Sequence, residues 1–147
     1  MILEPGRNCW RLERARRLAL IVDAAQYFAV AKAAIRKARR TVLLIGWQFD
    51  LRIRLQPDRP DASQPDELGR FLKAMAAERP ELRIHILQWD GAMLTTLSRQ
   101  VVSFLALELF WHRRIRHRLD SDHPTGACQH QKTWSSTTAS PSAAAST

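Results

Sequence analysis

The sequence predicts an α/β domain, on three observations. A run with helical apolar spacing is followed at once by a continuous apolar, β-branched run of strand length; the same succession recurs further on; and 46% of the 147 residues are hydrophobic, enough for one domain to bury a real core. Disorder over the whole length is thereby excluded.

Asp23, with Gln26 three residues on, marks a helix start, and Phe28, Ala31, Ile35 and Ala38 repeat at helical spacing, so the Phe28 side is the expected buried face. Arg36, Lys37, Arg39 and Arg40 crowd its end, where cations suit the negative pole of the helix dipole. Residues 41–47, Thr-Val-Leu-Leu-Ile-Gly-Trp, read as a strand covered on both faces. Residues 51–55 alternate apolar with basic, the pattern of a second strand nearer a sheet edge. Three prolines within residues 56–65 make that stretch a surface loop. Ser63, Pro65 and Asp66 suit a helix start, Leu68, Phe71, Leu72, Met75 and Ala76 form its apolar face, and Pro80 stops it. Residues 82–89 then read as a strand. Residues 92–111 read as a long helix, buried or amphipathic rather than membrane-spanning because it carries Arg99, Gln100 and Glu108. Arginines alternate with Ile, His and Leu over residues 114–119, a strand whose arginine face suits either a phosphate site or a charged, solvated sheet edge.

Lys and Arg number 23 against 14 acidic residues, a net charge of +9, so an anionic partner is expected: nucleic acid, phospholipid headgroups or a phosphate-bearing substrate. The opening Met1-Ile2-Leu3 runs into Glu4, Pro5 and Arg7, leaving no apolar stretch long enough for a signal peptide, so none is expected at this start. Cys9 and Cys128 are too few for a disulfide framework. A cytoplasmic location follows as the expectation, with peripheral attachment to a membrane as its variant.

Two strand ends carry an aromatic residue and a carboxylate: Trp47-Gln48-Phe49-Asp50 and Trp89-Asp90-Gly91. Ligands of open α/β sheets sit at such ends, although core tryptophans and turn aspartates would look the same. The chemistry-bearing segment is residues 120–132, Asp-Ser-Asp-His-Pro-Thr-Gly-Ala-Cys-Gln-His-Gln-Lys. Two apart on a strand, His130 and Lys132 would share a face. An imidazole beside an ammonium suits phosphoryl chemistry: the first attacks phosphorus or moves a proton, the second steadies the oxygens.

Arg7-Asn8-Cys9-Trp10-Arg11, Gly46-Trp47-Gln48-Phe49-Asp50, Leu87-Gln88-Trp89-Asp90 and the segment ending in His130-Gln131-Lys132, in that order, resemble the N-terminal half of bacterial members of the phospholipase D superfamily over nearly all of residues 6–132. The resemblance implies a mixed sheet flanked by helices and hydrolysis or transfer of phosphodiesters, usually of phospholipids, without metal or other cofactor. It implies His130 as the nucleophile that forms a phosphohistidine and Lys132 as the phosphate binder, while a histidine of a second motif copy protonates the leaving group. Gln129 stands where members usually have another histidine.

The family motif continues with four residues, an aspartate, six residues and a glycine pair or Gly-Ser. Here those positions hold Thr137, Ala144 and Ala145, and every Lys, Arg, Asp and Glu lies within residues 1–132. The expected organisation is therefore an incomplete phospholipase D-like catalytic domain over 1–132 and a disordered Ser/Thr/Ala-rich tail over 133–147. One permitted choice of codons for residues 134–147, read one nucleotide earlier, gives Val-Val-Ile-Asp-Asp-Gly-Val-Ala-Phe-Cys-Gly-Gly-Ile-Asp. That frame sets an aspartate opposite Thr137 and the glycines opposite Ala144 and Ala145. A single-nucleotide deletion after Lys132, or a sequencing error mimicking one, is expected, and with it little or no activity from the chain alone.

Two other readings use the same residues. A non-catalytic basic module would bind an anionic membrane or nucleic acid through Arg11, Arg14, Arg16, Arg17, Arg114, Arg116 and Arg118; aromatic interleaving of single-strand binders is missing, which favours the membrane. A dimeric single-motif nuclease would pair two copies of His130-Gln131-Lys132. Of the potential ligands His112, His117, His123, Cys128 and His130, His112 and His117 alone have a permitted gap and no cysteine pair accompanies them, so no metal is expected. Sequencing the gene from codon 128 onward in all frames tests the truncation: one shifted frame is expected to continue into the aspartate, the glycine pair and a second His-x-Lys, and an intact alternative without these would sink it.

Overall fold

Asp23 caps helix α1 (Ala24–Lys37) as expected, its carboxylate accepting the Gln26 N–H at 2.8 Å. The computed structural model describes residues 2–47, 49–59, 62–90, 112–124, 127, 130 and 132–137. The expected helix over 92–111 and Cys128 lie outside the described residues.

Strand β1 (Thr41–Gly46) lies at the centre of a mixed sheet. Helix α2 (Leu68–Glu78) crosses over to β2 (Arg83–Trp89), which pairs parallel to β1 with Val42 opposite Ile84 and Leu44 opposite Ile86. Strand β3 (Ile115–Asp120) extends the sheet in parallel beyond β2, with Ile115 opposite Ile84. Strand β4 (Thr133–Thr137) pairs antiparallel on the other side of β1, giving the order β3-β2-β1-β4.

Register and strand alternation send Val42, Leu44, Ile84, Ile86 and Ile115 to one face, where they meet Ile35 of α1, Ala38 just past it, and Leu68, Phe71, Leu72, Met75 and Ala76 of α2 in a single core. The apolar faces of both helices are those the sequence spacing marks. β1 is not sealed equally on both sides: Val42 and Leu44 are buried, whereas Thr41, Leu43 and Ile45 are half-buried.

Residues 51–55 form no strand. The Asp50 carboxylate accepts the Arg52 N–H and its guanidinium at 3.0 Å, and the Ile53 N–H returns to the Asp50 carbonyl, so local bonds curl the chain despite its alternation. Leu55 turns into the core, and the backbone of Arg54 forms an isolated antiparallel β-bridge with that of Glu67.

Helix α2 also starts later than Ser63 and Asp66 imply, because the Asp66 carboxylate has other work. It accepts the Gln56 N–H and meets the ammonium of Lys32, each at 2.9 Å. Lys32 is only 2% exposed on the inner side of α1, so this ion pair ties α1 to the chain entering α2.

Arginines outside each helix close the helix ends. Arg79 donates to the Ala38 carbonyl at 3.1 Å, just past α1, and Arg114, which precedes β3 rather than joining its arginine face, donates to Ala76 O of α2 at 3.0 Å. β3 is an edge strand, with Arg116 and Arg118 exposed on the face away from the helices.

The disorder expected over 133–147 does not cover β4. Trp134 packs against the core, with ring centroids 5.8 Å from Tyr27 and 6.3 Å from Phe28, and the Thr137 carbonyl accepts the N–H groups of Arg39 and Arg40. One indole and β-branched threonines suffice for an edge strand whose other residues face water. Residues 138–147 lie outside the described set.

Asp66→Ala leaves the Lys32 ammonium buried without its carboxylate, and a loss of about 3–5 kcal/mol is expected in urea unfolding. Replacing both partners, Lys32→Met with Asp66→Leu, is expected to recover most of that loss; a double variant as unstable as Asp66→Ala would refute the assignment.

Candidate functional site

Because β1, β2 and β3 are parallel, their C-terminal ends share one rim of the sheet, and the aromatic–carboxylate pairs noted in the sequence meet there. Trp47 follows β1 and Trp89 ends β2; their rings stand edge-to-face, 5.3 Å apart at 73°. Gly46 admits the folded-back Phe49, whose ring comes within 2.7 Å of where a Cβ would lie.

The two strand-end aspartates diverge in role. Asp50 is a turn residue, held below the usual carboxylate range by hydrogen bonding to Arg52. Asp90 reaches across the rim: its N–H donates to the Asp120 carbonyl at 3.2 Å, and its Oδ1 lies 2.7 Å from Nε2 of His123, in the connection that follows β3. The other ring nitrogen of His123 lies 3.1 Å from the Pro124 carbonyl. Two acceptors on two ring nitrogens are satisfied together only by the imidazolium. Asp90 first, and Pro124 second, accordingly raise the His123 pKa above the ordinary histidine value, against a smaller opposing effect of desolvation.

His130 comes to the same rim. Its ring is 4.9 Å from Trp47, and His123 is 5.7 Å from Trp89, so four rings run along the strand ends in the order His130, Trp47, Trp89, His123. Lys132 is placed differently. Pairing with β1 begins only at Thr133, so the two-residue rule that would put His130 and Lys132 on one strand face does not apply. Lys132 lines a groove of about 370 Å³ between α1 and β4, beside Tyr27, Val30 and Trp134.

The histidines considered as metal ligands are dispersed. Nδ1 of His112 accepts the Arg114 N–H, and burial lowers its pKa; His117, on the helix-covered face, pairs with Gln88 at 3.3 Å and is likewise lowered by burial. Among the described residues no group of three or more His, Cys, Asp or Glu is placed to hold a metal ion. Cys9 is a free thiol.

Sequence reasoning missed the His123–Asp90 pair, which joins residues 33 positions apart. The available signals were a carboxylate at a strand end and a histidine early in a connection, and neither names its partner.

No protein-family model matches the chain, and neither does any curated protein sequence.

The His123 tether has a defined pH dependence. Its pKa is raised on folding, so its stabilisation is fully present below the ordinary value of 6.5 and is lost as pH rises through the raised folded value. Following the imidazole resonances by NMR, the His123 midpoint is expected above 6.5 and is expected to fall in Asp90→Asn. A wild-type midpoint at or below 6.5 would mean that the pair does not form in solution.

Proposed function

We propose that the chain supplies the first-motif half of a phospholipase D-type phosphodiesterase site, with His130 as nucleophile and Lys132 as phosphate ligand, and that it has little or no activity alone. The observation that carries this reading is the place of His130, on the C-terminal rim of parallel strands and against Trp47. A phosphodiester at that rim meets an imidazole able to attack phosphorus. His123, whose charged form the Asp90 carboxylate favours, adds a second imidazole on the same rim. Lys132 is exposed on a flexible four-carbon stem, which suits an ammonium that closes on a bound phosphate.

In the attack, His130 forms a nitrogen–phosphorus bond as the phosphorus–oxygen bond to the leaving alcohol breaks, and the departing alkoxide needs a proton. The family supplies that proton from a second motif, and these 147 residues contain a single His-x-Lys. Loss of general acid catalysis alone removes about 10²–10⁴-fold in rate.

Two measurements on the purified chain test the reading. Phosphatidic acid release from phosphatidylglycerol vesicles is expected at the level of the buffer blank, and robust turnover would overturn the half-site. Inorganic phosphate is expected to shift the His130 imidazole resonances, and more weakly in Lys132→Ala; a His130 unmoved by phosphate would remove the catalytic assignment.

A further inference from the structure

Of the ten large hydrophobic side chains that are exposed among the described residues, eight lie before residue 31. Trp10 is 84% exposed, Leu18 94% and Leu20 93%, with Val22 close behind, in a stretch without helix or strand ahead of α1. A segment merely solvated there would be polar; this one presents Leu-Ala-Leu-Ile-Val. The same segment is basic. Arg7 and Arg11 are paired with Glu4 and Glu13, but among the described residues no carboxylate meets Arg14, Arg16 or Arg17, which immediately precede the apolar run.

We propose that residues 2–22 form a docking surface for an anionic phospholipid bilayer, with Trp10, Leu18, Leu20 and Val22 entering the headgroup–acyl boundary while Arg14, Arg16 and Arg17 meet lipid phosphates. Charge complementarity selects this partner: adjoining apolar and cationic side chains match a surface whose hydrocarbon lies just beneath its phosphates. Arg11 lies 4.6 Å over the Trp10 ring, pairing a cation with the aromatic residue most at home at a membrane interface. The apolar surface continues inward, since Ile21 lines the α1–β4 groove with Val30 and Trp134, and Lys132 stands in the same lining. Among the described residues no helix is long and apolar enough to cross a membrane.

Co-sedimentation of the full chain with vesicles tests this, using phosphatidylcholine mixed with phosphatidylglycerol against phosphatidylcholine alone. Binding is expected to the mixed vesicles and to weaken as salt rises. Leu18→Ser with Leu20→Ser is expected to weaken partitioning by about tenfold or more. Arg14→Gln, Arg16→Gln and Arg17→Gln together are expected to abolish the preference for phosphatidylglycerol. Arg116→Gln with Arg118→Gln, on the exposed face of β3, is expected to change nothing. All these positions are exposed, so each variant should keep the wild-type circular dichroism spectrum.

Undiminished binding by the leucine variant would overturn insertion in favour of adsorption by charge, and loss in the β3 variant would place the surface elsewhere. Wild-type self-association that the leucine variant abolishes, without vesicle binding, would make the patch a protein contact instead. The proposal does not rest on the phosphodiesterase reading: vesicle binding and the phosphate shift of the His130 imidazole are read separately on the same wild-type chain, so either can fail while the other holds.

Discussion

The buried pair between Lys32 and Asp66 is the constraint on which the arrangement of this fold depends. Lys32 sits on the side of α1 that faces the sheet, where an apolar residue would be ordinary, and its ammonium is 5.8 Å from the Phe71 ring of α2. Burying that charge is tolerable only because Asp66 lies 2.9 Å away. Asp66 also accepts the Gln56 N–H, and its carbonyl accepts that of Leu55, so one residue closes the excursion that leaves β1 and returns to α2. The direction in which β1 hands the chain on, and hence the setting of Trp47, Phe49 and Asp50 at the rim, follows from that closure.

Closing this excursion sets α2 on the same face as α1 and leaves β2 to pair in parallel with β1. Parallel pairing gathers strand ends on one edge, and that geometry makes a site of residues scattered in sequence. β3 continues the pattern, and the His123–Asp90 contact fastens the connection after it to the end of β2. His130 therefore reaches the rim through two fixed points, the His123 tether behind it and β4 ahead, rather than by riding on a strand.

Much of this was legible in the sequence, and the failures have physical causes. Periodicity located α1, α2, β1, β2 and β3 because each is long enough for its apolar face to show. Residues 51–55 misled because a strict alternation of Leu, Arg and Ile says nothing of a carboxylate one residue upstream that captures the backbone and guanidinium of Arg52. Thr133–Thr137 misled in the opposite sense: composition weighs residues equally, whereas this strand is held by one indole between two aromatic rings and by carbonyls that no composition reports. At the site, the four residues Trp47, Asp90, Trp89 and His130 were marked by strand ends and motif. His123 was not, because its role is a contact across the sheet.

The net charge of +9 divides once the fold is known. Arg79 and Arg114 are spent on helix carbonyls, and Arg52 on Asp50. Arg116 and Arg118 line an edge strand, where charge deters pairing with other chains. Arg14, Arg16 and Arg17 stand beside Leu18 and Leu20, the most exposed large hydrophobic side chains among the described residues. Charges that serve the fold are matched to a fixed acceptor; those beside Leu18 and Leu20 have none among the described residues, and a cation left beside bare hydrocarbon has a natural complement in a surface that offers both phosphate and acyl chain. The basic character that composition reports as one number thus includes cations matched to fixed acceptors and, at Arg14, Arg16 and Arg17, cations set beside bare hydrocarbon instead.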